Sequence, residues 1–208
     1  MPQHKKTNMA TFIFKTHAQA ACLTVTKNQC APSMGLVGCA CLTALDKLVD
    51  QYSKDDKEES LWDLAQALRM RAKYHLLHRS DVHAAKASAK KALAIVYGMP
   101  STPKIDTCVF ESDYAMAMHM AGDHDDKERA KTLWCRIMDF AINSIVEPGV
   151  YSEHDLLYKH TLCDRMICES VDLPRGRDRK AALERALALG REIGHAHRHM
   201  LEVDIELF

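Results

Sequence analysis

From residue 33 onward the chain repeats one arrangement: apolar positions three and four apart, broken by short polar or Gly- and Pro-containing turns. The clearest run, Asp123 to Ile145, places Ala130, Leu133, Trp134, Ile137, Met138, Ala141, Ile142 and Ile145 on one helical face. Its first turn is acidic and its polar residues lie opposite the stripe, as in a helix packed on neighbours. The same spacing predicts a helix from Ser33 to Tyr52 and another from Ser60 to His78. An alanine-rich helix follows over Val82 to Tyr97, whose small side chains admit a close neighbour, and then Thr107 to Ala121. Ser152, with Asp155 three residues on, offers a capping-box-like start to a helix ending near Ser170. A last helix runs from Arg177 to Met200, with Gly190 and Gly194 as weak points. The expected fold is all-α: about seven antiparallel helices stacked as irregular hairpins over residues 33–200. An N-terminal arm covers 1–32 and a tail covers 201–208; an internal boundary, if present, falls at 98–106, where Gly98, Pro100 and Pro103 interrupt the pattern.

The two ends carry a different period. Thr11 to Thr16, Cys22 to Lys27 and Leu201 to Leu207 alternate apolar and polar residues in the manner of short strands. One reading joins them in a small sheet; the other makes Thr16 to Leu23 a helix and the tail a continuation of the last helix.

Composition narrows the function classes. The 208 residues are 47% hydrophobic and 6% aromatic, which suits close helix packing. Lys plus Arg equals Asp plus Glu at 28 each, so no overall field draws the chain to nucleic acid or membrane. The longest uncharged segment, Asn28 to Asp46, is interrupted by Pro32, Gly35 and Gly38 and is too short to span a bilayer. Eight cysteines without a CxxC pair, behind no signal-like N-terminus, predict reduced, mostly buried thiols in a cytoplasmic protein.

Around the clearest helix the residues resemble a tetratricopeptide repeat. With Ala130 as the small residue early in the second helix, Tyr114 takes the position where that family prefers Trp, and Trp134 an aromatic position. Ile137 departs from the expected small residue, and the matching alanines 85, 130 and 182 do not keep a 34-residue period. The resemblance, to irregular hairpins over residues 60–200, implies protein or peptide binding in a groove.

Candidate chemistry is sparse. His195 and His199 are four apart, a spacing that can hold a metal from one helical face, but no HExxH acid accompanies them. His-Asp pairs at His124–Asp125 and His154–Asp155 resemble part of an HD phosphohydrolase site, and both sit at helix starts where Asp serves as a first-turn residue. Arg69 with His75, and Arg191 with His197, show the R-x5-H spacing of helical HEPN ribonucleases. No G-x-S-x-G, P-loop or Rossmann glycine pattern is present. These residues predict no cofactor, no metal ligand set and no catalytic group.

Charge distribution says more. Arg69 to Lys91 is basic, Asp106 to Glu128 acidic and Arg175 to Arg198 basic again. Either successive hairpins neutralise each other, or the surface is polarised for a charged partner. On the second reading Arg69, Lys73, Arg79, Lys86 and Lys90 form a basic contact set, and Asp123, Asp125 and Asp126 an acidic one. Stacking aromatics are not interleaved with the bases, which favours an acidic protein face over RNA or DNA. The expected function is therefore a non-enzymatic adaptor, regulator or inhibitor that binds another protein. A helical phosphohydrolase or ribonuclease and a nucleic-acid-binding regulator are the alternatives. The alternating tail also admits a second copy of the chain as partner.

Overall fold

The computed structural model describes residues 40–77, 81–145 and 152–194. These residues form seven helices and no strand: α1 (Ala40–Tyr52), α2 (Glu58–Leu77), α3 (Val82–Tyr97), α4 (Lys104–Ala121), α5 (His124–Asn143), α6 (Glu153–Asp172) and α7 (Arg177–Ile193). The all-α expectation holds. The alternating segments Thr11–Thr16, Cys22–Lys27 and Leu201–Leu207, like Arg79, lie outside the described residues.

Local chemistry sets most boundaries. Asp81, Asp123 and Ser152 each accept a hydrogen bond from the backbone N–H three residues on, from Ala84, Asp126 and Asp155, so three helices start on a side-chain cap. The expected pairing of Ser152 with the start of α6 is therefore present. Pro103 precedes α4 without a side-chain cap, and the helix begins three residues before the expected Thr107. The last helix stops at Ile193, short of Met200, because Gly194 turns left-handed (φ 66°) and its N–H closes onto the carbonyls of Gly190 and Arg191.

Sequence neighbours pack on one another, α1 on α2 through to α6 on α7, and α4 additionally crosses to α2 and α6. The main core gathers Ala85 and Ala89 of α3, Ala115 and Met116 of α4, Ala130 and Trp134 of α5, Ile167 of α6 and Leu183 of α7. Burying Trp134 and its neighbours stabilises this packing by about 25 cal/mol per Å² of apolar surface. A second cluster joins Leu64, Leu68, Leu93, Val96 and Phe110, with Trp62 edge-on to Phe110. The alanines of α3 bring α2 and α4 close, as expected of that helix.

The central helix, α4, is buried nearly all round, and its buried set includes Glu111, Ser112, Asp113 and His119. A polar residue enclosed by other helices is stable only when a partner meets it. Glu111 is met from α3 and α5, Asp113 from α2, and Ser112 and His119 from α6.

Candidate functional site

Two charged regions emerge. The first is a seam between α2, α4 and α6. Arg69 and Lys73 lie one turn apart on α2, so both reach Asp113 on α4: the Arg69 guanidinium donates from Nε, and Lys73 Nζ lies 3.1 Å from Oδ1. Arg69 also stacks over Phe110, 5.3 Å from the ring centre. Asp164 on α6 accepts a hydrogen bond of 2.8 Å from Ser112, and His160 Nδ1 lies 3.9 Å from it. Burial alone would raise the Asp113 carboxyl; Arg69 and then Lys73 outweigh it and hold it below the usual range. Burial lowers the Lys73 ammonium, Arg69 adds to that, and Asp113 and Asp164 oppose it. At the edge of the seam, burial followed by the nearby charge of Glu153 pushes Asp106 up to about 6, against the pull of Arg69.

The second region is an open cleft of about 660 Å³. Helix α4 forms its floor through Tyr114 and Met118; α3 supplies one wall with Lys86 and Lys90, and α5 the other with Asp126, Arg129, Leu133 and Arg136. Each end is tied shut by polar contacts. At one end Lys86 Nζ bonds Asp126 across the walls. At the other, buried Glu111 accepts a bond of 2.7 Å from the Tyr97 hydroxyl and pairs with Arg136 Nη2 at 2.8 Å and Lys104 Nζ at 3.7 Å. Lys86 and Tyr97 are eleven helical steps apart, so the ties are about 16 Å apart. Between them Lys90 and Arg129 are exposed and have no counter-ion among the described residues.

Gly122 fixes the α5 wall. A Cβ there would meet Asp126 Cβ at 2.2 Å and the Met118 carbonyl at 2.5 Å, so only glycine lets α5 start this close to the end of α4. Behind the cleft, His119 stacks against Trp134 at 5.7 Å and its Nε2 lies 3.0 Å from Asp172, which also binds Lys127. Burial lowers the His119 pKa, and this imidazole serves the core.

The residues singled out from the sequence thus divide. Arg69 and Lys73 face Asp113 inside the bundle, and Lys73 is 8% exposed. Lys86 and Lys90 stand on the cleft wall. Asp123 caps α5, Asp125 is exposed in its first turn, and Asp126 bonds Lys86. The structure does not gather the seven described ones into one surface, and it adds Tyr114, Met118, Arg129, Leu133 and Arg136. Arg129, Thr132, Leu133 and Arg136 recur at three- and four-residue spacing, a basic stripe that the acidic first turn of the same helix masks.

The other described candidate groups do not converge, and His195, His197 and His199 lie outside the described residues. Arg69 turns to Asp113, while His75 lies edge-on to Tyr74, with burial and then Arg71 lowering its pKa. His124 and Asp125 are exposed, whereas His154 packs on Phe140 and Asp155 pairs with Lys159 at 3.2 Å. Among the described residues no three His, Cys, Asp or Glu side chains meet in a metal-holding arrangement. Cys108, Cys163 and Cys168 are buried free thiols; burial raises the first two to about 11 and about 12. Cys135 is exposed on α5 beside Arg165. No described helix is long and apolar enough to cross a membrane. Comparison with protein-family models, with curated proteins and with solved structures finds no match.

Proposed function

We propose that this protein is a binding adaptor or regulator that takes an acidic, partly apolar segment of another protein in the α3–α4–α5 cleft. The observation that carries this reading is the pairing of an apolar floor, Tyr114, Met118 and Leu133, with Lys90 and Arg129, two exposed cations without counter-ions among the described residues. A cation that is not neutralised internally attracts an anionic ligand and steers its approach. The floor adds apolar contact, and the ties at both ends keep the walls from collapsing onto each other. About five extended residues span the 16 Å between the ties. Side chains of an extended segment alternate, so a ligand with apolar residues at every second position sets these on the floor and leaves its acids level with the basic walls.

A peptide array probed with the purified chain tests this. The bound set is expected to be enriched in sequences alternating acidic and apolar residues, and the doubly substituted Lys90→Glu, Arg129→Glu chain is expected to lose at least tenfold in signal. Enrichment in basic peptides, or equal binding by the substituted chain, would overturn the assignment.

A further inference from the structure

The two ties fix how the cleft walls are set against each other. Lys86 bonds Asp126 at one end; eleven residues on in α3, Tyr97 meets Glu111, and ten residues on from Asp126 in α5, Arg136 meets the same carboxylate. The walls therefore run the same way and nearly in step. Lys90 lies seven residues before Tyr97, and Arg129 seven before Arg136. Seven residues make almost two full turns, so each cation shares the face that its tie residue turns to Glu111, about 10.5 Å along the cleft from it. Helix α4 runs the other way, with Glu111 at this tie and Gly122 against Asp126 at the other. Seven residues beyond Glu111 it presents Met118, level with the two cations.

The cleft thus holds one arrangement twice. At the tie, a hydroxyl from α3 and a guanidinium from α5 meet a carboxylate of α4. Two turns along, an ammonium from α3 and a guanidinium from α5 face each other, and α4 offers only the uncharged thioether of Met118. The two acids of the lining do not supply the missing charge, because Asp126 is bonded to Lys86 and Glu128 pairs with Lys131 at 2.8 Å. We propose that a phosphorylated side chain of the bound segment, a phosphoserine or phosphothreonine, sits between Lys90 and Arg129 as the anion that α4 omits there. This deepens the peptide-site reading given above and rests on it.

Spacing and charge select this ligand over its rivals. Measured from the Lys86–Asp126 tie, Lys90 stands about 6 Å and Arg129 about 4.5 Å along the cleft, a difference of about 1.5 Å. Side chains on one side of an extended segment recur only every 6.8 Å or so, so a single ligand residue is level with both cations. One carboxylate would neutralise one of them. A phosphoryl group carries about −1.5 to −2 charges at pH 7 and three acceptor oxygens, enough to take the guanidinium fork and the ammonium together. A nucleic acid carries a charge on every residue, and its further phosphates would meet Lys86 and Arg136 already paired with Asp126 and Glu111.

The test titrates fluorescent eight-residue peptides of alternating apolar and acidic residues into the full chain, with phosphoserine, glutamate or serine at one central acidic position. The phosphoserine peptide is expected to bind at least tenfold tighter than the glutamate peptide. Lys90→Met and Arg129→Met should each erase that preference, whereas Lys91→Met, at an exposed position of α3 outside the cleft lining, should change it less than twofold. Met118→Glu gives α4 its own carboxylate at this level and should weaken the phosphoserine peptide at least tenfold. That variant is read only where circular dichroism shows it folded; Lys90→Met and Arg129→Met, at exposed positions, decide the matter without it. Equal binding of the phosphoserine and glutamate peptides, lost in both cation variants, would overturn the phosphate site and leave the cleft a site for acidic segments. A phosphoserine preference that survives both cation variants would overturn its placement here. Binding of none of the three peptides would overturn the proposal and count against the cleft reading as well. A single-stranded oligonucleotide that binds more tightly than the phosphoserine peptide and displaces it would overturn the ligand class.

Discussion

Arg69 and Lys73 on α2 meet Asp113 where solvent is largely excluded, whereas Lys90 and Arg129 stand on the walls of an open cleft. Both pairs come from basic positions on helical faces, yet the first pair holds helices together and the second is left available. The difference lies in what α4 presents to each flank. Toward α2 it offers the buried carboxylate of Asp113; toward α3 and α5 its carboxylate, Glu111, is taken by Tyr97, Arg136 and Lys104, and beside Lys90 and Arg129 it offers only the floor of Tyr114 and Met118. A cation's role is thus decided by the opposing helix rather than by its own.

The sharpest way to break the comparison is to remove the carboxylate from the seam. Asp113→Ala leaves Arg69 and Lys73 enclosed without their anion, and urea unfolding is expected to show a loss of about 3–5 kcal/mol. A loss below about 1 kcal/mol would mean that the seam is hydrated and no different from the cleft.

Gly122→Ala strikes between the regions. The added Cβ must displace Asp126 or the Met118 carbonyl, with an expected loss of about 1–3 kcal/mol. Because Asp126 ties the cleft walls, the same variant should also weaken peptide binding, a double effect that a seam substitution does not produce.

A smaller effect distinguishes the edge of the seam by pH. Asp106 is raised from 3.8 to about 6, so between those values the folded chain holds a proton that the unfolded chain has released. Stability therefore falls as pH rises from about 4 to 6. Asp106→Asn removes this slope: with allowance for partial solvation, it should be more stable than the native chain by about 1 kcal/mol above pH 6 and equal to it below pH 4, as read from unfolding midpoints across that range.

The sequence made the helices legible because their apolar spacing and their caps at Asp123 and Ser152 are local. It also carried the complementarity of its charge blocks, which the Arg69–Asp113 and Lys86–Asp126 pairs realise. It could not say which charges were enclosed. Asp113 and Asp126 look alike along the chain, and only the surrounding of α4 by α2, α3, α5 and α6 separates them. The cleft was half legible: Lys86 and Lys90 stood out in a basic run, while Arg129 and Arg136 sat in a helix whose first turn advertises acid. Leu133 read as core because it shares the stripe with Trp134, yet it lies at the rim of that stripe and faces the cleft.

The division between a structural seam and a binding cleft is tested most directly by titrating an eight-residue peptide of alternating apolar and acidic residues into three chains: the native one, one with Lys90→Glu and Arg129→Glu, and one with Lys73→Met. Lys73→Met removes a seam cation and leaves Asp113 paired with Arg69. The expected result is at least tenfold weaker binding by the cleft variant and a change of less than twofold in the seam variant, each measured where circular dichroism shows the chain folded. Loss of binding in the seam variant with none in the cleft variant would contradict the account.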